Sequence, residues 1–381
     1  MSSIVLPGGE RYELRGGAVL GTGIASATSR IAYAAAHVVA DPLAENVPGA
    51  PAALDWDATL SFRHHLWRHG LGVAEAMDTA QRGMGLNYSA VRELVRRSAS
   101  EARSVGGRIV AGVATDQLDG PATVAEILDA YREQLADVVS TGAVPVIMCS
   151  RHLASAATSA DDYISVYSSL LSEVDQPVLL HWLGSMFDPM LSGYWGTSDL
   201  NAAADTVLAL LKDHASKVDG IKMSLLDADF EVAFRRRLPA GVRMYTGDDF
   251  NYPNLIAGDD HGYSDALLGV FAAIAPAVTP ALAELDKGSV DGFHALLDPT
   301  VPLARHLFGA PTQYYKTGIV FLSWLSGHQS HFTMVGGLQS GRSVTHLAKL
   351  LVLADKAGLL PHADLAAARA RSYFAVAGVP Q

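Results

Sequence analysis

Short apolar segments alternate with amphipathic ones along most of the chain. The apolar segments, which predict β-strands, are residues 31–40, 72–78, 108–116, 144–150, 177–183, 218–227, 242–247 and 262–269. Both faces of these segments are largely apolar, which is typical of parallel strands covered by helices on both sides. Eight strands that alternate with helices predict a (β/α)8 barrel, also called a TIM barrel.

The segments between these strands have the period of helices. They are residues 57–70, 89–105, 159–174, 198–216 and 228–238. A further helix is expected after Thr123, because Glu126 follows it at the spacing of a capping box. The alternative architecture, an open doubly wound sheet, more often has a Gly-rich nucleotide loop after its first strand. Residues 38–42, Val-Val-Ala-Asp-Pro, do not form such a loop.

Two additions flank the barrel, which we place at residues 30–285. Residues 1–29 predict an N-terminal cap, with a hairpin that turns at Pro-Gly-Gly, 7–9. Residues 286–381 have a helical pattern, and we expect this extension to pack on the barrel flank and to make subunit contacts. A Gly-rich loop at 327–341 interrupts it and carries His328 and His331 at a ligand-like spacing. We expect a surface loop there, or one that folds over a barrel mouth.

Charge and composition narrow the class of partner. The formal net charge of −11 over 381 residues argues against binding to nucleic acid or to an anionic membrane. Prolines interrupt the longest apolar run, 266–283, whereas a spanning helix needs about 20 apolar residues. The single cysteine, Cys149, excludes an intrachain disulfide and suits a reducing compartment. The first residues do not resemble a signal peptide, so we expect a cytoplasmic protein.

A lysine lies in the middle of the sixth predicted strand, in the segment Val-Asp-Gly-Ile-Lys-Met-Ser at 218–224. Burial disfavours the charged form of a lysine, and a neutral amine attacks ketones and aldehydes to form a Schiff base. The structural alternative is a lysine at a strand end that reaches water or pairs with a carboxylate. We interpret Lys222 as the nucleophile of an active site.

Active sites of such barrels lie at the C-terminal ends of the strands, and this rule selects the other candidates. They are His37, Asp78, Arg82, Arg151, His181, Ser224, Asp248 and Asp249. His181 is on the fifth strand, beside the strand of Lys222, so we expect it to exchange protons with the amine and the substrate. One of the two aspartates is expected to cap the following segment and the other to face the site, and we favour Asp248 for the second role.

Three blocks carry a resemblance to a known family. They are Gly-Ile-Lys-Met-Ser at 220–224, Tyr-Thr-Gly-Asp-Asp at 245–249, and the strand and small-residue helix at 262–276. In order and spacing they resemble the Schiff-base region of the dihydrodipicolinate synthase / N-acetylneuraminate lyase superfamily of class I aldolases. The resemblance implies a TIM barrel in which Lys222 condenses with a 2-oxo acid. A C–C bond next to the imine is then made or broken, without a metal or other cofactor.

The chain departs from the family pattern at three places. The family's proton-shuttling tyrosine is missing, and we assign its role to His181. The fourth strand's Pro-Tyr-Tyr is replaced by Cys-Ser-Arg-His at 149–152. The corner that binds the pyruvate carboxylate in the family is here Arg-Gly-Met-Gly-Leu-Asn, 82–87, which lacks the family's hydroxyls. The substrate is therefore expected to be a 2-oxo acid or a keto-sugar-like compound.

The candidates for substrate binding follow from these departures. A carboxylate would be held by the amides around Gly83 and Gly85 or by the guanidinium of Arg82 or Arg151. Asp78, His37, Ser224 and Asp249 complete the expected site by their positions after strands.

Two other functions fit the same residues. His37, Asp78, His181 and either Asp248 or Asp249 would supply ligands for Mn²⁺, Zn²⁺ or Mg²⁺ in a metal-dependent isomerase or aldolase. A binding protein on a degenerate barrel is the non-enzymatic alternative, against which the retained Lys222 argues. We favour a metal-free Schiff-base lyase or aldolase that acts on a small carbonyl compound. Barrels of this superfamily are commonly homo-oligomers, so we expect a dimer or a tetramer.

Overall fold

Eight parallel strands close into a barrel in the computed structural model, which describes residues 2–17, 27–77 and 80–381. The described strands are β1 (Ser3–Val5), β2 (Arg11–Glu13), β3 (Ala32–Ala35), β4 (Gly72–Glu75), β5 (Ala80–Leu86), β6 (Ile109–Val113), β7 (Val144–Ile147), β8 (Val178–Leu183), β9 (Val218–Ser224), β10 (Arg243–Thr246) and β11 (Asp265–Leu268). The ring runs β3–β4–β6–β7–β8–β9–β10–β11 and closes between β11 and β3. The predicted (β/α)8 barrel is confirmed.

Helices cover the outside of this ring and form the C-terminal part of the chain. They are α1 (Trp56–Arg68), α2 (Tyr88–Val105), α3 (Val124–Thr141), α4 (Arg151–Ala156), α5 (Ala160–Glu173), α6 (Leu200–Asp213), α7 (Ala228–Arg235), α8 (Tyr252–Ala257), α9 (Phe271–Asp286), α10 (Val290–Leu297), α11 (Val301–Leu307), α12 (Tyr315–Leu325), α13 (Val344–Lys356) and α14 (Ala363–Val376). The capping box of Thr123 and Glu126 begins α3 as predicted. None of the described helices is long and apolar enough to cross a membrane.

The first barrel strand is shorter than the sequence predicts, because side chains replace the neighbouring strands as hydrogen-bond partners. The pattern predicts a strand over 31–40, whereas β3 ends at Ala35. Beyond it, Val38 N donates to Gln81 Oε1 at 3.0 Å and Val39 N donates to Thr59 Oγ1 at 2.9 Å. The chain stays buried but leaves the ladder, so His37 lies past the strand end rather than on it.

Large side chains fill the lower part of the barrel interior. Tyr33 and Tyr245 lie there with ring centroids 6.3 Å apart, among small aliphatic side chains such as Ala74 and Val110. Gly220 leaves the space for the Tyr245 ring, since a Cβ at this glycine would lie 2.6 Å from Tyr245 Cε2. The packed interior leaves the C-terminal end of the strands, the barrel mouth, as the side from which a substrate would enter.

The N-terminal hairpin joins the C-terminal extension. Strands β1 and β2 pair antiparallel, and Tyr12 Oη donates to Asp355 Oδ2 on α13 at 2.7 Å. Gln381 also hydrogen-bonds the backbone of Val5. Residues 18–26 of the predicted cap lie outside the described residues. The division of the chain at residues 29 and 285 stays a prediction.

The extension reaches the barrel mouth as well as the flank on which we expected it. Lys316 of α12 donates a hydrogen bond to Ala35 O at the mouth end of β3. The 327–341 loop lies on β5, where a Cβ at Gly85 would stand 3.2 Å from Val335 O. This close approach of two backbones needs glycine on both sides, and Gly336 has a φ of +66°. The loop thus folds over the mouth of its own barrel.

A buried ion pair fixes the outside of β4 next to this mouth. Arg63 Nε and Nη2 donate to the two carboxylate oxygens of Glu75 at 2.8 and 2.7 Å, and both side chains are fully buried. Arg63 also donates to His37 O, and Ser98 Oγ donates to Glu75 at 2.7 Å. The pair therefore joins α1 and α2 to β4 and to the chain beyond β3.

Replacing Arg63 by methionine leaves the Glu75 carboxylate buried without its charged partner. We expect Arg63→Met to lower the free energy of unfolding by about 3–5 kcal/mol, measured by urea denaturation. The double variant Arg63→Met with Glu75→Leu is expected to recover part of the loss, because it buries no unpaired charge. Arg132 forms a partly exposed ion pair with Glu173, so the control Arg132→Ala should change the free energy of unfolding by less than about 1 kcal/mol. Equal losses in the single and double variants would contradict this explanation.

Candidate active site

Three polar side chains meet inside the barrel below the mouth. Residues His181 and Lys222 are partners in the ladder between β8 and β9, so both point inward at the same level. Lys222 Nζ lies 3.0 Å from His181 Nε2 and 2.9 Å from Ser224 Oγ. The triangle closes with 3.1 Å between His181 Nε2 and Ser224 Oγ. All three side chains are buried. A protonated amine donates to Nε2, and a neutral amine accepts from it, so the contact suits proton transfer in either direction.

A glycine on the next strand provides the space for this triangle. A Cβ at Gly247 would lie 2.1 Å from Ser224 Oγ and 3.0 Å from Lys222 Cε. Any other residue at this position would displace Ser224 or the lysine side chain. The glycine of the Gly-Asp-Asp block thus has a steric role in the site.

Of the two aspartates that follow, Asp248 takes the capping position, although we had favoured it as the residue that faces the site. Asp248 caps the turn after β10, because Oδ1 accepts from Phe250 N at 2.8 Å and from Asn251 N at 3.0 Å, and Oδ2 accepts from Asn251 Nδ2. Asp249 accepts from Val270 N at 2.8 Å and lies close enough to Lys222 for the amine's charge to act on it. The preference for Asp248 as the residue that faces the site was therefore wrong, because its carboxylate is bonded to the turn after β10.

A second buried lysine, Lys316, faces the same site and was missed by the sequence analysis. Its amine donates to Ala35 O, and its charge acts on both Asp249 and Lys222. The sequence did contain an indication of its role, because Lys316 lies in an otherwise largely apolar helix, just as Lys222 lies in an apolar strand. The pattern alone does not place that helix over the barrel mouth.

Burial sets the protonation of the groups around these amines. It raises the pKa of Asp249 to about 7, although the positive charges of Lys222 and Lys316 oppose the shift. Burial also lowers the pKa of Lys316 to about 7, aided by the charge of Arg63 and opposed by that of Glu75. Both groups therefore change charge near neutral pH, within the range where a general acid or base operates.

Arg82 and Gly85 are not free to bind an anion as expected, and the role of Gly83 stays a prediction. All five N–H donors of Arg82 have acceptors within the protein, namely Ala76 O, Gly112 O, Gln134 Oε1 and both carboxylate oxygens of Asp116. This arginine joins three barrel elements and is not available to a substrate. Gly85 is covered by the 327–341 loop, and Gly83 lies at the cavity edge near Arg151.

A cavity of about 730 Å³ opens at the mouth beside β8. Its lining includes Cys149, Arg151, His152, Leu183, Phe187 and Gln313. Arg151 is half-exposed there and donates from Nε to Asp188 Oδ2 at 2.5 Å. On the polar wall, Thr115 Oγ1 lies 2.6 Å from Ser150 Oγ and 3.0 Å from His152 Nδ1. The cavity therefore offers hydroxyl, imidazole and guanidinium groups to a bound molecule.

The remaining predicted candidates lie elsewhere or outside the described residues. Buried His37 contacts Gln329 Oε1 through Nε2 at 2.9 Å and packs on Phe62, and burial lowers its pKa well below the usual value. It anchors the 327–341 loop instead of facing Lys222. His328 packs on His65 at a centroid distance of 4.1 Å, on the outer side of this loop. Asp78 lies outside the described residues.

The described ranges 2–17, 27–77 and 80–381 contain no group of three or more His, Cys, Asp or Glu side chains arranged to hold a metal ion.

The raised pKa of Asp249 makes stability depend on pH with a definite sign. The folded protein holds this proton more tightly than the unfolded chain does, so the free energy of unfolding falls as pH rises from about 4 to about 7. We expect the loss between pH 5 and 7 to be smaller in Asp249→Asn by about 1–2 kcal/mol. Urea denaturation at both pH values measures it. The isosteric control Asp248→Asn should retain most of the wild-type pH dependence, and equal behaviour of the two variants would contradict the assignment.

Comparisons with known proteins agree with this fold. The dihydrodipicolinate synthase of Aquifex aeolicus has 13% identity and a TM-score of 0.66, over 87% of this chain and 99% of that one. YagE of E. coli K12, a prophage protein of the dihydrodipicolinic acid synthase family solved in complex with pyruvate, gives the same four values. The synthase of Bacillus clausii has 14% identity and a TM-score of 0.62, over 86% of this chain and 97% of that one.

At these identities the likeness concerns the fold, and at that level it confirms the resemblance inferred from the sequence. A comparison with curated proteins gave no match. One family model covers residues 7–379, nearly the whole chain. The chain therefore belongs to the family described as "Protein of unknown function (DUF993)".

Proposed function

We propose that the protein is a Schiff-base-forming lyase or aldolase, in which Lys222 condenses with the carbonyl group of a 2-oxo acid or a keto-sugar-like substrate. The observation that carries the proposal is the buried amine of Lys222 in hydrogen-bonding contact with His181 Nε2 and Ser224 Oγ. A nucleophile in contact with a general acid and base is the arrangement that imine formation requires. The dihydrodipicolinate synthase fold supports the same class of reaction.

Imine formation needs one amine and two proton transfers to the departing oxygen. The lone pair of Lys222 Nζ forms a bond to the carbonyl carbon, and the π electrons of C=O move to oxygen, which takes a proton from His181. The nitrogen returns a proton to the imidazole. Protonation of the carbinolamine hydroxyl lets it leave as water while the nitrogen lone pair forms the C=N bond. The net reaction consumes one proton and one carbonyl group and gives an iminium ion and water.

The iminium then accepts the electrons of a C–C bond. In the cleavage direction a base removes the proton of a hydroxyl two carbons from the imine carbon, and its oxygen forms a new C=O. The adjacent C–C bond breaks with its electron pair into the enamine. Protonation of the enamine and addition of water release the shorter carbonyl compound and restore Lys222. We assign these proton transfers to His181, which contacts the Lys222 amine, and to Asp249, on which the charge of that amine acts.

The cavity beside β8 would hold the part of the substrate that leaves as an aldehyde. Its volume of about 730 Å³ lies in the range of small-molecule sites. The hydroxyls of Thr115 and Ser150 and the imidazole of His152 suit a hydroxylated chain, and Phe187 and Leu183 supply the apolar part of the wall. Assembly into a dimer or tetramer and cytoplasmic location stay predictions of the sequence.

Reductive trapping tests the imine directly. Incubation with pyruvate, other 2-oxo acids or keto-sugars and sodium borohydride is expected to add the mass of the reduced substrate to Lys222, as seen by intact-mass analysis and peptide mapping. Lys222→Ala should form no adduct, whereas Lys287→Ala, which removes an exposed amine, should form it as the wild type does. Trapping should also survive dialysis against EDTA. Loss of activity on chelation, restored by a divalent ion in a protein that forms no adduct, would favour the metal-dependent alternative.

We expect His181 to affect how fast the adduct on Lys222 forms, and not which residue carries it. The imidazole contacts the Lys222 amine, so its removal takes away the group that we propose to transfer protons during dehydration. We expect His181→Ala to slow the first-order rate of adduct formation by about 10²–10⁴-fold, with partial recovery on addition of free imidazole. Circular dichroism controls for folding. A rate within a factor of two of the wild type would exclude His181 as the proton-transfer group.

A further inference from the structure

Lys316 is a buried cation that the proposed reaction does not yet use. Among the described residues, only Lys222 and Lys316 are lysines with buried side chains. Lys316 is the second residue of α12, and its side chain extends from the extension into the barrel mouth, where Nζ donates to Ala35 O. A lysine is not needed to satisfy one backbone carbonyl, because a neutral hydroxyl or amide side chain would do so at a lower desolvation cost.

The amine of Lys316 has hydrogen-bonding capacity to spare. An ammonium group has three N–H donors, and Ala35 O is the one acceptor that it meets in the described part of the chain. The nearest carboxylate on β4, Glu75, is already held by Arg63, Ser98 and Ala76 N. No described carboxylate lies within ion-pair distance of Lys316. Within residues 2–17, 27–77 and 80–381, the ammonium form of Lys316 therefore has no counter-ion at ion-pair distance.

The spare donors lie near the reacting amine. Lys222 and Lys316 both act on the Asp249 carboxyl, and the charge of Lys222 acts on Lys316. Ala35, which Lys316 contacts, ends β3 at the barrel mouth, two ring positions from β10 and adjacent to β4. Lys222 is on β9, three ring positions from β3, so the two amines enter the barrel mouth from different parts of the ring. Asp249 follows β10, which lies between those two strands, and the charges of both amines act on it.

We propose that Lys316 binds the carboxylate of a 2-oxo acid whose carbonyl carbon reacts with Lys222, so that the site takes 2-oxo acids in preference to ketones without a carboxylate. This inference rests on the proposed Schiff-base function and adds its substrate class. The groups expected to hold the carboxylate are used otherwise, since Arg82 has no spare donor and Gly85 is covered. Arg151 is half-exposed on the β7 side of the cavity and is paired with Asp188. This position suits contact with a part of the substrate far from the reacting carbonyl.

Binding of an anion would also change the proton balance at Lys316. In the free protein burial lowers the pKa of this amine to about 7, so at pH 8 most molecules hold it neutral. A carboxylate beside it favours the ammonium form and raises the pKa. Binding of a 2-oxo acid at pH 8 is therefore accompanied by proton uptake, whereas a neutral ketone brings no such uptake to Lys316.

The test compares two small carbonyl compounds that differ in the carboxylate. Pyruvate and hydroxyacetone are each trapped on Lys222 with cyanoborohydride over a range of concentrations, in the wild type and in Lys316→Met. We expect the half-saturating concentration of pyruvate to rise by about tenfold to a hundredfold in the variant, the effect of losing a charged hydrogen bond. The value for hydroxyacetone should change by less than about twofold. Thermal unfolding confirms folding, because methionine matches the lysine stem and removes a buried charge.

Three outcomes would overturn the role of Lys316. An equal change for pyruvate and hydroxyacetone would indicate a structural effect, and no change for either would show that the amine is not a ligand. Loss of the pyruvate preference in Arg151→Met but not in Lys316→Met would move the carboxylate to Arg151. Calorimetry of pyruvate binding at pH 8 in two buffers of different ionisation enthalpy is a second readout. The wild type should take up more protons than Lys316→Met, and equal uptake would also count against the proposal.

The design separates this inference from the proposed function. An adduct of hydroxyacetone on Lys222 in the wild type supports the imine mechanism whatever Lys316 does. Adducts with both compounds and no selective effect of Lys316→Met would remove only the role of Lys316. Failure of every carbonyl compound to label Lys222 would instead remove the proposed function, and the role of Lys316 with it.

Discussion

The contact between the Lys222 amine and the His181 imidazole depends on the register of two neighbouring parallel strands. In a strand successive side chains alternate between the two faces, so a slip of one residue in β9 would turn Lys222 toward the outer helices and bring its apolar neighbours inward. The ladder pairs His181 with Lys222 directly. Glycines at 220 and 247 then leave room for the Tyr245 ring below and for the Lys222–Ser224 contact beside. The chemistry of the site is thus a consequence of barrel packing.

The C-terminal extension changes what that barrel mouth exposes. Its helix α12 brings an amine to the end of β3, and its 327–341 loop is held by Gln329 on His37 and by the close approach of Gly336 to β5. These contacts cover the mouth on the β3–β4 side, whereas cavities of about 730 and 710 Å³ open past the ends of β7, β8 and β9. Charges act on one another more strongly where water is excluded, so the same contacts make the two lysines and Asp249 interdependent.

Barrel strands and the Lys222–His181 pair could be predicted because both follow from local apolar patterns and the order of strands around a ring. The roles of Asp248 and Asp249 could not, since alternation ends with the strand at Thr246 and the turn beyond it sets which carboxyl faces inward. Arg82 donates to acceptors just past the end of β4, on β6 and on α3, which no local pattern reveals. Lys316 depends on where a distant helix docks, and the sequence shows only that the lysine is out of place in that helix.

A cation as carboxylate ligand would differ in kind from the hydroxyls and amides that the related fold is inferred to use. In a site closed to water, an ammonium group discriminates between an anion and a neutral ketone more strongly than a hydroxyl does, because the Coulomb term grows as the local dielectric constant falls. The same exclusion of water raises the free energy of an unpaired ammonium group in the protein without substrate. A pKa near 7 for Lys316 reconciles the two demands, since the amine can stay neutral while the site is empty and take a proton when an anion arrives. Lys316 would then become charged only when an anionic substrate binds beside it. The burial that lowers its pKa would thus also make the site selective for 2-oxo acids.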